Sequence, residues 1–169
     1  MITLRTFPKN KEVFVRLLAF LKEILEICGS LGIEPVLNAS LAVFVYTKNA
    51  EMSVNDIDLL IPEKRFEDTT KELEKRGIEF QIKDYHVLRI IKDDLKIEFD
   101  SMDYWTKEWQ IQLPSTFDQV QIQGLLMNII DLPNLIHTYK VGSRKNTVRT
   151  SDYKTKYKAL TSILSEGNI

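Results

Sequence analysis

Residues 36–62 constrain the fold more than any other part of the sequence. They read as an apolar strand, a turn of small residues, a short apolar helix and a second apolar strand. Two acids, Asp56 and Asp58, stand at the start of that second strand. Because side chains alternate along a strand, both acids point to the same face of the sheet. Like charges held so close repel and are costly to dehydrate, so the pattern predicts a positive partner beside them.

Composition limits the class of protein. A chain of 169 residues with 44% apolar and 28% charged residues is typical of one globular domain that can bury a core. The net charge of -1 gives no global electrostatic reason to expect a polyanionic partner. Cys28 is the single cysteine, which excludes an internal disulfide and a cysteine zinc site and suits a reducing compartment. No window approaches the roughly 18 apolar residues of a membrane span. We therefore expect a cytoplasmic protein without a membrane partner.

The remaining sequence alternates between helical and strand-like patterns. Three- and four-residue spacing of apolar residues predicts helices, and two-residue alternation or short apolar runs predict strands. The predicted helices cover residues 11–28, 40–48, 64–76, 132–141 and 152–164. The predicted strands cover residues 34–38, 57–61, 78–83, 87–91 and 95–101, with two short strands around Gly124 within 120–130. This order predicts an α+β fold with a mixed β-sheet flanked by helices.

The strand "LKIEFDS" supplies further acids. Its alternation places Glu98 and Asp100 on one face and the apolar residues on the other. If this strand lies beside the strand of Asp56 and Asp58, three or four carboxylates converge, and Mg²⁺ would neutralise them. The alternative is that these acids lie on the solvated face of an antiparallel sheet. Each acid pair taken alone leaves that alternative open.

The order of these parts resembles the DNA polymerase β-like nucleotidyltransferase superfamily. Its signature is a strand, a Gly-Gly or Gly-Ser turn, a short helix, an Asp-x-Asp strand and a third acid on a neighbouring strand. The matching segments are "NAS" at 38–40, "NDIDLLIP" at 55–62 and "LKIEFD" at 95–100. The tail "VQIQGLLMNIIDLPNLIHTYK" is similar to the hairpin and lysine-bearing helix of minimal bacterial and archaeal members, such as antibiotic and toxin–antitoxin nucleotidyltransferases.

The resemblance implies a role for each matching residue. Asp56, Asp58 and Glu98 would be catalytic and would ligate Mg²⁺ in a two-metal site, with Asp100 as the alternative third acid. Ala39, Ser40 and Lys140 would bind the nucleotide, the first two through backbone N–H groups at a helix N-terminus. These seven residues form the predicted site.

The resemblance also implies the domain organisation and the reaction. The whole chain, 1–169, would be one nucleotidyltransferase domain, with an N-terminal helix at 11–28, a catalytic core at 34–130 and C-terminal helices at 132–165. The enzyme would move a nucleoside monophosphate from an NTP to an acceptor hydroxyl and release pyrophosphate. The acceptor stays open between a small molecule, a tRNA and a partner protein, and so does the oligomeric state.

Two residues depart from the family pattern. Ala39 stands where the turn has glycine, and its Cβ would crowd a backbone that must approach phosphate closely. Asn38 is polar where the strand end is usually apolar. These departures favour an alternative function, a catalytically weak or inactive member that binds nucleotide or a protein partner as an antitoxin-like module. The intact Asp56 and Asp58 pair favours the enzyme.

Three further features leave their role open. Residues 140–158 carry seven basic residues and one acid, which fits either phosphate binding or a solvated helix face. Tyr104, Trp105 and Trp109 fit either stacking on a base or acceptor, or core packing. His86 and His137 lack spaced partners and are predicted to be surface or packed residues rather than metal ligands.

Overall fold

A mixed sheet of eight strands runs through the centre of the molecule in the computed structural model, which describes residues 1–84 and 86–166. The strands are β1 (Ile2–Leu4), β2 (Val36–Asn38), β3 (Ile57–Ile61), β4 (Glu79–Lys83), β5 (Val87–Lys92), β6 (Leu95–Ser101), β7 (Asp118–Ile122) and β8 (Leu125–Ile129). Their order across the sheet is β1-β7-β8-β2-β3-β6-β5-β4. The pairs β1/β7, β2/β8 and β3/β6 are parallel and the others are antiparallel. The predicted α+β fold with a mixed sheet is confirmed.

Helices flank this sheet. They are α1 (Lys11–Ser30), α2 (Ala39–Thr47), α3 (Phe66–Lys75), α4 (Met102–Glu108), α5 (Leu132–Arg144) and α6 (Thr150–Ser165), with a 3₁₀ turn at Glu63–Arg65. All five predicted helices are present, with ends that differ by a few residues. Within residues 1–84 and 86–166, no helix is long and apolar enough to cross a membrane.

Two elements were absent from the sequence prediction. Strand β1 has only three residues, too few for a recognisable pattern, and it forms because it pairs with β7 more than a hundred residues later. Helix α4 is also short. Ser101 caps it by accepting a hydrogen bond from the backbone N–H of Tyr104 at 3.1 Å, which satisfies one of the free donors of its first turn.

The two central strands β3 and β6 separate an apolar face from an acidic face. On the apolar face, Leu59 and Phe99 are neighbours in register and are fully buried. Helix α1 contacts β6 and buries a stripe of eight side chains at helical spacing. Full burial of one such side chain contributes about 1.5–3 kcal/mol, so this layer supplies much of the folding free energy.

The opposite face of β3 and β6 lies beneath the C-terminal helices. Helix α6 packs against α5 and also contacts α2. The close approach of α6 to α5 needs Gly142, because a Cβ at that position would collide with the ring of Tyr153. Helices α5 and α6 cover this face of the sheet and leave a space above the acids.

Candidate active site

A cavity of about 620 Å³ opens between the acidic face of the sheet and helices α4, α5 and α6. The cavity is lined by residues from both halves of the segment 36–62. Asn38, Ala39 and Ser40 line it where β2 passes into α2, and Asp56 and Asp58 line it at the start of β3. Because β2 and β3 are antiparallel, the end of one strand lies beside the start of the other, and Asn38 is the register partner of Asp58.

The acids of β3 and β6 converge in this cavity. Asp58 and Glu98 are register partners on the two parallel strands, and Asp100 follows on the same face of β6. One carboxylate oxygen from each of these three residues lies within 4.8 Å of the others. Asp56 also lines the cavity, immediately before β3. The structure therefore brings together the four acids that the sequence placed on one face.

Two of these acids hold protons more tightly than free carboxyl groups. Burial raises the pKa of Asp58 well above its usual value, and the neighbouring carboxylates of Asp100, Asp56 and Glu98 add to the shift. Burial and the charges of Glu98 and Asp56 raise the pKa of Asp100 to about 7. The side chains around the cavity therefore do not supply enough positive charge to keep these acids ionised as in water.

Two cations of the C-terminal helices reduce these shifts without cancelling them. The charge of Lys156 lowers the pKa of Asp58, and the charge of Arg149 lowers that of Asp100, although both values stay raised. The site therefore has a residual requirement for positive charge, which a divalent cation would meet.

The donor set fits a hard divalent cation. Carboxylate oxygens are ligands of Mg²⁺, whose ligands at about 2.1 Å stand up to about 4.2 Å apart. The three oxygens within 4.8 Å need only a small inward movement to reach that separation. Asp58, Glu98 and Asp100 supply these three oxygens and would hold the ion, and Asp56 is the fourth acid that lines the cavity.

Glu98 and Asp100 differ in their immediate partners. Arg89 on β5 donates a hydrogen bond from Nε to Glu98 Oε1 at 2.8 Å, and its Nη2 lies 2.7 Å from the same oxygen in an ion pair. The two side chains are only 22% and 15% exposed, so this pair is well shielded from solvent. Asp100 forms no ion pair with the residues of 1–84 and 86–166. The sequence ranked Glu98 first as the third acid with Asp100 as the alternative, and both lie in the acid cluster.

The turn between β2 and α2 has the backbone of a glycine turn. Ala39 has φ of +53°, in the left-handed region that favours glycine. Asn38 is 3% exposed, and its Oδ1 has no hydrogen-bond partner among the described residues. Ser40 Oγ accepts a hydrogen bond from Lys156 Nζ at 2.8 Å. The chain thus keeps the turn despite the Cβ of Ala39.

Lys156 places a positive charge beside the turn, where the sequence predicted Lys140. The side chain of Lys140 is exposed and does not line the cavity. Lys156 is 16% exposed, contacts Ser40, and is held by Asp152 one helical turn earlier at 2.8 Å. Sequence reasoning noted the basic stretch without singling out Lys156. The i,i+4 spacing of Asp152 and Lys156 was the available signal.

Aromatic side chains form two walls of the cavity. Tyr139, Tyr153 and Trp109 make edge-to-face contacts, with Tyr153 at 5.5 Å from Tyr139 and 6.4 Å from Trp109 between ring centroids. On the other wall, His86 stacks on Tyr104 at 3.8 Å with an interplanar angle of 4°. Sequence reasoning left the roles of Tyr104 and Trp109 open and did not place His86 in the site.

The molecule has the nucleotidyltransferase fold. The solution structure of antibiotic-resistance factor ANT(2'')-Ia matches with a TM-score of 0.65 and 12% identity, over 92% of this chain and 85% of that one. An antigenic nucleotidyltransferase-like protein from Paracoccidioides brasiliensis matches at 0.62 and 12%, over 92% and 78%. Lincosamide antibiotic adenylyltransferase LnuA matches at 0.56 and 14%, over 85% and 95%. No family model and no curated protein sequence matches the chain. At these identities the likeness concerns the fold.

Proposed function

We propose that the protein transfers a nucleoside monophosphate from an NTP to an acceptor hydroxyl and releases pyrophosphate. The observation that carries this proposal is the juxtaposition of the acid cluster with the turn at Ala39 and Ser40 in one cavity. The resemblance of the fold to nucleotidyltransferases supports the same reaction type.

The turn and Lys156 would hold the triphosphate. The first backbone N–H groups of α2 point out of the helix without intrahelical partners, and the helix dipole favours negative charge there. Lys156 adds a full positive charge beside Ser40. The β- and γ-phosphates would therefore lie at the turn, and the α-phosphate would lie over Asp58.

The acids would prepare the α-phosphate for attack. Mg²⁺, when bound, neutralises charge on the phosphate oxygens and aligns the attacking and leaving oxygens. Asp56, Asp58 and Asp100 would orient these groups, while the Arg89 pair holds Glu98 in place. The acceptor oxygen forms a bond to the α-phosphorus, and the bond from that phosphorus to the bridging oxygen of the β-phosphate breaks. The hydroxyl proton passes to a carboxylate of the cluster.

Calorimetry with ATP tests this proposal. The expected result is ATP binding that requires millimolar Mg²⁺ and disappears in Asp58→Ala. Asp94→Ala is the matched control, because Asp94 lies in the exposed β5–β6 turn and pairs with Arg16 away from the cavity. Absence of NTP binding to the wild-type protein under these conditions would contradict the proposal.

A second function, nucleotide or partner binding without transfer, is favoured by the Cβ of Ala39 on the phosphate-binding turn. The two functions differ in whether a labelled nucleotide is transferred to an acceptor. Incubation of the protein with [α-³²P]NTPs and a cell lysate is expected to label an acceptor, and Asp58→Ala should abolish that labelling. If ATP binds with Mg²⁺ but no acceptor becomes labelled, the binding function replaces the enzyme.

A further inference from the structure

One end of the cavity lies on the far side of the acids from the phosphate turn. We call it the acceptor end. It is formed by Lys83, His86, Val87 and Arg89 of the β4–β5 region and by Tyr104 of α4. Its position follows from the strand order β2-β3-β6-β5-β4, which places the turn, the acids and the acceptor end in a line across the sheet.

This line determines where the acceptor enters, given the proposed function. Nucleotidyl transfer is an in-line displacement, so the attacking oxygen and the leaving oxygen stand on opposite sides of the α-phosphorus. Pyrophosphate leaves towards the turn of β2, beside Ser40 and Lys156. The acceptor hydroxyl therefore approaches from the side of β5 and β4, past His86 and Tyr104.

His86 and Tyr104 form a rigid flat surface at the acceptor end. The two rings are stacked at 3.8 Å and nearly parallel. Glu63 holds His86 through a 2.7 Å contact with Nδ1, and the backbone oxygen of His86 accepts a hydrogen bond from the Ser101 N–H at 2.8 Å. Tyr104 stays 42% exposed despite this stacking. An exposed aromatic face that is already fixed can stack on a planar ligand with little loss of side-chain entropy.

The charges at this end do not suit a cation. Glu98 is paired with Arg89, and Glu63, which contacts His86 Nδ1, is not among the residues that line the cavity. Lys83 lines the cavity and has no ion pair within residues 1–84 and 86–166, so it adds a positive charge. The remaining acids of the cavity, Asp56, Asp58 and Asp100, face the site of the divalent cation. A polycationic acceptor would meet Lys83 without gaining a free carboxylate.

We propose that the acceptor is a hydroxyl compound that carries a planar ring and no net positive charge, and that its ring stacks on Tyr104 while its hydroxyl faces the acids. An anionic group on the acceptor would pair with Lys83. Tobramycin, whose adenylylated form is bound in a solved structure of ANT(2'')-Ia, lies outside this class. The proposal rests on the proposed function, since the nucleotide determines which end is free.

Flavin probes test this proposal on the full chain. The nucleotide end is first filled with a non-hydrolysable ATP analogue and Mg²⁺, and that binding is measured separately for each variant. Riboflavin 5′-phosphate, an anionic planar ring with hydroxyl groups, is then titrated while its fluorescence is followed. We expect quenching on binding, about tenfold or more weaker binding in Tyr104→Leu, and retained binding in Tyr104→Phe.

Two further comparisons separate the ring from the charge. Lys83→Glu should weaken binding of riboflavin 5′-phosphate more than binding of uncharged riboflavin, whereas Lys75→Glu, on the exposed surface of α3, should change neither. Tyr157→Leu is the matched control for the ring, since Tyr157 lies outside the cavity lining. Tobramycin should not displace the flavin.

Three results would overturn the proposal. They are absence of flavin binding to the analogue-loaded wild-type protein, equal binding in Tyr104→Leu, and displacement of the flavin by tobramycin. If the ATP analogue itself does not bind, the proposed function fails first. The two failures are therefore distinguishable.

Discussion

The two faces of strands β3 and β6 are built from alternate residues of the same segments and have opposite effects on folding. On one face, Leu59 and Phe99 are fully buried beneath α1 and stabilise the fold. On the other face, Asp58 and Asp100 are crowded so closely that their pKa values rise, which means that their ionised forms are strained. The apolar face therefore supplies the stability that lets the acids remain together on the other face.

Phe99→Ala is the largest expected disruption of this balance. Removing a fully buried phenyl group leaves a cavity beside β3, which costs about 3–5 kcal/mol of unfolding free energy. Urea denaturation followed by circular dichroism measures the change. Lys96→Ala, on the same strand but exposed on the other face, should change the free energy by less than about 0.5 kcal/mol. Similar effects of the two substitutions would contradict the division into faces.

The acidic face itself contains two unlike carboxylates, and metal affinity distinguishes them. Asp100→Asn should weaken Mn²⁺ binding by about tenfold or more, because Asp100 forms no ion pair with any residue that the structure describes. Glu98→Gln should weaken it less, because Arg89 already neutralises Glu98. Electron paramagnetic resonance of free Mn²⁺ measures both constants without any activity. The reverse order would identify Glu98 as the third metal-binding acid.

The pH dependence of stability sharpens the comparison further. The pKa of Asp100 is about 7 in the folded protein and 3.8 in the unfolded reference, so the folded state holds the proton more tightly. Its contribution to stability is fully present below pH 4 and is lost as pH rises towards and through 7. Without metal, Asp100→Asn should therefore melt a few degrees above the wild type at pH 8 and close to it at pH 4.

Differential scanning calorimetry in EDTA measures these melting temperatures. Some loss of stability with rising pH should persist in Asp100→Asn, since Asp58 also has a raised pKa. Saturating Mg²⁺ should reduce the difference between the variants at pH 8, because the ion offsets the repulsion. If the wild type were more stable than Asp100→Asn at pH 8 in EDTA, the interpretation that the ionised acids destabilise the fold would be contradicted.

The smallest expected effect concerns the turn. Ala39→Gly removes the strain of a φ of +53°, worth about 1–2 kcal/mol, and increases the entropy of the unfolded chain by about 0.4–1 kcal/mol. The net stabilisation should be at most about 1 kcal/mol in thermal unfolding. Ala42→Gly, within the same helix at ordinary helical positions, should instead destabilise by about 1 kcal/mol. If both substitutions destabilised the protein, the backbone at Ala39 would be unstrained.

Local patterns explain why much of the fold was predictable. Strand β3 was predicted with its observed bounds, because a run of five residues, four of them apolar, ends at Pro62. The sharing of one face by Glu98 and Asp100 followed from two-residue alternation alone. Both inferences need only residues that are adjacent or nearly adjacent in sequence.

Contacts between distant segments explain what the sequence could not reveal. The pairing of Glu98 with Arg89 depends on the register of β5 against β6. The position of Lys156 depends on how α6 packs against α2, more than a hundred residues earlier. The stacking of His86 on Tyr104 likewise joins the β4–β5 turn to helix α4, which no local pattern relates.

The hydrogen bond between Lys156 and Ser40 has a consequence for the protein during its synthesis on the ribosome. Ser40 and the acids are synthesised early, whereas Lys156 is separated from Ser40 by 116 positions. A nascent chain that has emerged only as far as β8 holds the carboxylates but lacks the cation of α6. Translation must therefore pass residue 156 before the turn at Ser40 gains its positive charge.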